Sequence, residues 1–330
     1  MGDLGQVSLY LVTGAMTAYL IAMIAFTIDL TRKAKAAPSR ARVAVGSGGG
    51  EFVLDEAIAD EVVTNAGAPG GDAGAVDNVV APGPRKSAGI GTATFTVGSV
   101  LLLAGIVTRG LAAGRVPWAN MYEFTLMGVF IASAVFLGLQ RKRDVRYLGT
   151  FIALFAVLAL FLALAVLYLD PDPVQPALQS YWLVIHVSVA TAAMGVLAVA
   201  AVTSSLQLVK DRAISRGTVG RVLGSLPSVD DLERLAFRIN AVGFVLWTFT
   251  LIAGAIWAEH AWGRFWGWDA KEVWTFVVWV IYAAYLHARS TRGWEGRRAA
   301  WFSVAGFVSI LVNFYVVNLF FNSLHSYSGV

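Results

Sequence analysis

The chain has 330 residues, of which 57% are hydrophobic and only 14% charged, a balance that excludes an ordinary soluble enzyme and indicates a polytopic membrane protein. It contains no cysteine, so a disulfide framework, an iron–sulfur ligand set and a thiol nucleophile are all excluded. The net charge of +4 is scattered through short loops between apolar runs, where it sets membrane topology and does not form a nucleic-acid patch.

In chain order, residues 8–28 form a largely apolar run long enough to cross a bilayer as a helix. Its basic flank (Arg32, Lys33, Lys35) follows the run, which predicts a retained first helix within residues 1–30 and not a cleaved signal. Residues 31–89 break the pattern with Gly-Ser-Gly-Gly-Gly at 46–50 and Pro-Gly-Pro at 82–84, a composition that predicts a disordered cytoplasmic insertion. Seven more apolar runs follow within residues 90–330, near 90–108, 122–139, 148–169, 182–206, 239–257, 273–288 and 300–321. The expected fold is therefore all-α, a polytopic integral membrane protein of about eight transmembrane helices. A capping box at 228–231 predicts a short interfacial helix leading into the sixth span.

Lys and Arg fix the expected orientation. The segments after spans one, three, five and seven hold 7, 4, 6 and 4 of them, 21 of the 25 in all. The other four are Arg109, Arg115, Arg264 and Lys271, on the opposite side. The expectation is a plasma-membrane protein with both termini outside, together with the segment joining spans six and seven.

That segment, continuing into the seventh span, includes residues 262–274, WGRFWGWDAKEVW, with tryptophans at Trp262, Trp266, Trp268 and Trp274. So many indoles do not suit a solvated loop, and Arg264, Asp269, Lys271 and Glu272 do not suit hydrocarbon. An aromatic belt accounts for one or two tryptophans at a helix end. Four of them, interleaved with glycines and an Asp-x-Lys-Glu core, point instead to a platform for a flat apolar ligand.

The pattern W-G-x-x-W-x-W-D-x-K-E-x-W resembles the tryptophan-rich signature of the cytochrome c assembly family, membrane proteins that handle haem during c-type cytochrome maturation. Within that family the chain is most similar to the system II, Ccs/Res-type component, from about Trp118 to the C-terminus. No resemblance is seen before about Ile90.

The four histidines can be weighed one by one. His186 lies near the outer end of span five, His325 just past the outer end of span eight, His260 ahead of the tryptophans, and His287 near the inner end of span seven. Histidine is a common neutral ligand of haem iron, and two can fill both axial positions. An isolated histidine at a helix end is ordinarily an interfacial polar group, but two on one face flanking the motif favour ligation. The resemblance implies the same pair, His186 and His325, as external ligands, with His287 as a membrane-embedded histidine; His260 has no counterpart. Asp269, Lys271 and Glu272 fit a salt-bridge cluster at a helix start, and Lys271 and Arg264 equally fit partners of haem propionates; the sequence leaves both open. Trp118, at the start of span three, extends the platform, and Glu123 is a helix-capping acid.

The resemblance implies haem b as ligand and substrate, held and presented for covalent attachment to an apocytochrome c carrying Cys-x-x-Cys-His. The chain would act as part of a holocytochrome c synthase complex, not as an enzyme alone, with a ResB/Ccs-type membrane partner supplying a second inner ligand beside His287. No residue reads as a nucleophile or general acid. The rival readings are a haem relay or exporter without ligation activity, and a non-haem quinone or lipid site.

Overall fold

The computed structural model describes residues 2–36, 86–171, 180–321 and 323–325. Among these every regular element is helical. Most of the expected insertion, residues 37–85, lies outside the described residues, but its edges are helical: the first helix, α1, runs Gly2–Ala36 and α2 runs Lys86–Ala113. Lys33 and Lys35 sit in the last turn of α1, where cations suit the negative end of the helix dipole.

Helix α3 (Met121–Lys142) starts where the Asn120 side chain accepts the Glu123 amide at 3.0 Å. A 3₁₀ turn at Arg146–Leu148 leads into α4 (Gly149–Ala165), and Ser180 caps α5 (Tyr181–Ser215) by accepting the Trp182 amide. A one-turn α6 (Arg221–Gly224) precedes α7 (Val229–Trp262), capped by Ser228. Helix α8 (Ala270–Arg292) is capped by Asp269. Helix α9 (Arg297–Leu311) passes through a π turn, Val312–Val316, into α10 (Val317–Phe320).

Two expectations change. The capping box at Ser228 opens no separate interfacial helix; residues 229–238 are the first turns of α7 itself. Helices α5 and α7 outrun their apolar cores because the backbone ladder continues past the hydrocarbon wherever polar side chains can reach water. Second, among the described residues seven helices are long and apolar enough to cross a membrane, and α8 is not one of them. Its 23 residues include Lys271, Glu272, His287, Arg289 and Arg292. It nonetheless packs inside the bundle, with Val278 and Tyr282 buried in a core shared with α5, α7 and α9. The protein is an all-α integral membrane protein.

In a bilayer, helices gain little from hiding apolar surface from one another, so close approach through small residues and polar contacts holds them. Gly91, Gly98 and Gly105, seven apart on α2, let Phe26, Tyr19 and Val12 of α1 pack against the backbone. The Tyr19 hydroxyl donates to Ser133 of α3 at 2.9 Å, tying a third helix in. At the end of the bundle away from the tryptophans, Glu233 of α7 binds Arg289 of α8, the Gly296 amide at 2.8 Å and Gln207 of α5 at 3.2 Å. One carboxylate thus fixes four chain segments at that end, while the opposite end carries the site.

Candidate functional site

The site opens where α7 ends and α8 begins. Gly263 adopts φ +69°, a left-handed helix stop that glycine takes without strain. Six residues later Asp269 caps α8, and Glu272 completes the box by accepting the Asp269 amide at 3.1 Å. Glu272 also accepts the Gly267 amide at 2.8 Å and Arg264 at 3.0 Å, so a single carboxylate pins the whole tryptophan loop. The Arg264 guanidinium lies over Gly267, where any Cβ would collide with it. Trp268 follows at φ +59°, a conformation costing a non-glycine residue roughly 1–2 kcal/mol. Its indole is 75% exposed. Backbone strain of this kind clusters at functional sites, and here it is held on an exposed aromatic.

Beneath the loop is a cleft of about 1260 Å³ of atom-free space, counting the part open to the outside. Trp118, Met121 and Phe124 wall it on the α3 side, and Leu183, His186 and Thr191 on α5. Trp247, Gly254 and Trp257 contribute from α7, Phe265 and Trp266 from the loop, Lys271 and Thr275 from α8. Asn313, Phe314, Asn318 and His325 close it from the C-terminal segment. The wall is mostly apolar with a few placed polar groups, the usual make-up of a ligand-binding site.

The two histidines are held in the same way. His186 Nδ1 lies 3.0 Å from the Thr250 carbonyl, and His325 Nδ1 lies 2.8 Å from Asp269 Oδ2. A carbonyl can only accept, so His186 carries its proton on Nδ1 and leaves Nε2 as the electron-pair donor. The Asp269 carboxylate imposes the same tautomer on His325. This is the arrangement by which proteins orient metal-ligating imidazoles. Burial works to raise the Asp269 pKa, but hydrogen bonds from His325 and from the Leu324 and Lys271 amides outweigh it, and the carboxyl sits below its ordinary value.

Both rings meet one indole. His186 is parallel to Trp257 within 7° at 6.0 Å, and His325 approaches it edge-on at 5.6 Å. Trp257 is only 2% exposed. A Cβ on Gly254 would lie 2.8 Å from His186 Cε1, so the imidazole occupies the space that glycine leaves. Three buried polar atoms lining the cleft make no hydrogen bond among the described residues: Trp118 Nε1, Trp257 Nε1 and Asn313 Oδ1. Buried donors and acceptors are rarely left so, except where a ligand or water completes them.

Of the residues singled out by sequence, His186, His325, Trp118, Trp266 and Lys271 line this cleft. Asp269 holds His325, and Trp262 packs edge-on against His325 at 4.8 Å. Arg264 pairs with Glu272 and stacks over Trp262. Trp274 is half-buried on α8 and lies outside the lining, as does Trp268. Lys271 Nζ donates to the Asn313 carbonyl and to Asn318 Oδ1, both at 2.9 Å, and makes no carboxylate contact among the described residues. His287 is exposed on α8, 18 residues beyond Asp269 and so about 27 Å along the axis. The structure does not bring it to the other two. His260 bonds the Ile256 carbonyl of its own helix at 2.8 Å.

Sequence reading missed Trp257, Gly254, Asn313 and Asn318. Trp257, five residues before Trp262, was the one with a signal, as an extension of the aromatic run. The others are ordinary residues within spans. Glu123 does more than cap a helix: fully buried, it binds Arg109 at 2.9 Å, Arg115 at 2.7 Å and the Ala119 amide at 2.8 Å, bracing the Trp118 wall.

Residues 118–325 match the family model described as cytochrome C assembly protein. The chain is 35% identical over 264 residues to the cytochrome c biogenesis protein CcsA of Prochlorococcus marinus (strain MIT 9303), covering 72% of this chain and 83% of that one. It is 35% identical to the protein of the same name from Synechococcus sp. (strain CC9311), over 74% of this chain and 89% of the other. Against that of Synechococcus elongatus (strain ATCC 33912 / PCC 7942 / FACHB-805), identity is 32% over 76% and 90%. The matched region contains every element of the cleft, and the chain belongs to the cytochrome c assembly family, among its CcsA-type cytochrome c biogenesis proteins.

Proposed function

We propose that the cleft receives haem b, with His186 and His325 as the two iron ligands through Nε2, and presents it for covalent attachment to apocytochrome c in a system II pathway. One observation carries the reading. Both imidazoles spend Nδ1 on a fixed acceptor, the Thr250 carbonyl and the Asp269 carboxylate, which leaves both Nε2 atoms as ligands. Two imidazoles with open Nε2 atoms lining one cleft match the two axial positions of a haem iron. The buried, unpartnered indole N–H groups of Trp118 and Trp257 suit a ligand with acceptors at its rim.

The contribution of this chain is position. Trp118, Trp257 and Trp266 supply apolar walls, the loop pinned by Glu272 covers the cleft, and the exposed Trp268 is a contact for the incoming apocytochrome. Thioether formation joins the Cys-x-x-Cys-His thiols to the haem vinyl groups, and holding reactants in register is a recognised source of rate. The excess of Lys and Arg at the other end supports an external site, because basic loops remain on the cytoplasmic side. His287, exposed near that basic end, is proposed to bind haem on entry, with its second ligand from a ResB/Ccs-type membrane partner.

The test is the absorbance spectrum of the purified protein. A Soret band of a bis-histidine haem is expected, weakened in His186→Ala and in His325→Ala and lost in the double variant. An unchanged band in the double variant would falsify the ligand assignment. No haem in any preparation, even after reconstitution, would reject the haem reading itself.

A further inference from the structure

We propose that Lys271 is a carboxylate-binding residue of the cleft: its ammonium seats one acidic side chain of the ligand and fixes which edge of the ring faces α9 and α10. The inference rests on the haem reading, in which that acid is a propionate.

The geometry carries the argument. A lysine ammonium has three N–H donors. Two are spent on neutral oxygens, the Asn313 carbonyl and Asn318 Oδ1. The π turn contributes to this arrangement: within Val312–Val316 the Val317 amide reaches back five residues to the Val312 carbonyl, and the next carbonyl, that of Asn313, receives Lys271 Nζ. Such single-turn bulges in α-helices are frequent at functional sites. The third has no oxygen acceptor among the described residues: Nζ lies 5.7 Å from the centroid of Phe314, itself a wall of the cleft that Lys271 lines, and a carboxylate there would be a stronger partner than the ring face.

The neighbouring acids are committed elsewhere. Asp269 accepts His325 Nδ1 at 2.8 Å, the Leu324 amide at 3.1 Å and the Lys271 amide at 3.4 Å. Glu272 is held by Arg264 and two loop amides. No carboxylate therefore touches Nζ among the described residues, and a cation withdrawn from water without a contact counter-charge is costly. An acidic ligand removes that cost. Arg264, the other cation that could meet an acid here, is already paired with Glu272. Among the described residues the buried, unpartnered polar atoms of the lining are two donors, the indole N–H groups of Trp118 and Trp257, and one acceptor, Asn313 Oδ1, beside the Nε2 atoms of His186 and His325 that the haem reading gives to iron.

The experiment titrates the purified apoprotein with ferric haem b and with its dimethyl ester, which keeps ring and iron but removes both carboxylates. The wild-type protein should bind the free acid more tightly by roughly ten- to a hundredfold, the worth of a charge-assisted hydrogen bond. Lys271→Met should erase most of that preference while leaving ester affinity and the bis-histidine spectrum in place. Should Lys271→Met fold poorly, Asn318→Asp keeps the lysine and puts a carboxylate on Nζ, and it too should lose the preference. Retention of the free-acid preference in both variants overturns the proposal with the haem reading intact. Failure of both compounds to bind the wild-type protein removes both readings together.

Discussion

His325 Nδ1 rests 2.8 Å from Asp269 Oδ2, so the residue that caps α8 also holds a ring 56 positions further along the chain. Helix start and imidazole orientation are thereby one event. The chain must stop α7 at Gly263, cross the loop and cap α8 before His325 has anything to bind.

This double duty can be separated. Asn caps helices about as well as Asp, so Asp269→Asn should change the thermal midpoint little, yet it removes the charge that fixes the His325 tautomer. Haem retention is expected to fall about 10–100-fold, the usual cost of losing a ligand's supporting partner. Asp269→Ala should lose retention and also about 1 kcal/mol of stability. Equal retention in Asp269→Asn and wild type would show that the contact does not orient His325.

Gly254→Ala puts a methyl 2.8 Å from His186 Cε1. Overpacking of this kind costs about 1–3 kcal/mol. Displacing the ring breaks its bond to Thr250, so the spectrum should turn to that of a site with one histidine, as in His186→Ala. A bis-histidine spectrum in Gly254→Ala would mean that the ring is free to move.

Trp268 offers the opposite case. Replacing it with glycine relieves a φ of +59° and removes an indole that packs edge-on to Trp266 at 5.8 Å. Stability should hold or rise by up to about 1 kcal/mol, while holocytochrome c yield falls and the haem spectrum persists. A large drop in thermal midpoint would place Trp268 in the fold and not on a working surface.

Glu123→Gln removes the carboxylate that holds Arg109 in a fully buried position and that Arg115 also contacts. Breaking a buried pair from one side costs about 3–5 kcal/mol. The expected signature is a lowered thermal midpoint together with faster proteolysis near residues 114–120, the segment that carries Trp118. An unaltered midpoint would count against the bracing role.

Because the chain has no cysteine, orientation can be read from single introduced thiols. An impermeant maleimide should label Ala261→Cys in intact cells and miss Thr218→Cys until the membrane is opened. The reverse pattern would invert the topology and, with it, the external cleft.

The sequence by itself determined what local patterns encode. Apolar run length located seven of the eight expected spans, the run at 273–288 being the exception, Ser228 and Asp269 announced helix starts three residues ahead of an acid, and the basic residues fall mostly in alternate connecting segments. The tryptophan signature and two histidines on its side pointed to residues that the fold gathers around one cleft, because residue type is enough to suggest an aromatic wall or a metal-ligating imidazole. The tertiary structure decided the pairings. Whether Arg264 meets Glu272 or a ligand, whether Lys271 finds an acid, and whether Gly254 leaves room for His186 depend on groups 8, 42 and 68 residues apart. Helix register brings those groups together, and no period in the sequence records it. The length of α5 and α7 past their apolar cores was hidden for a related reason: hydropathy reports what the bilayer surrounds, whereas a helix ends where its backbone ladder is capped.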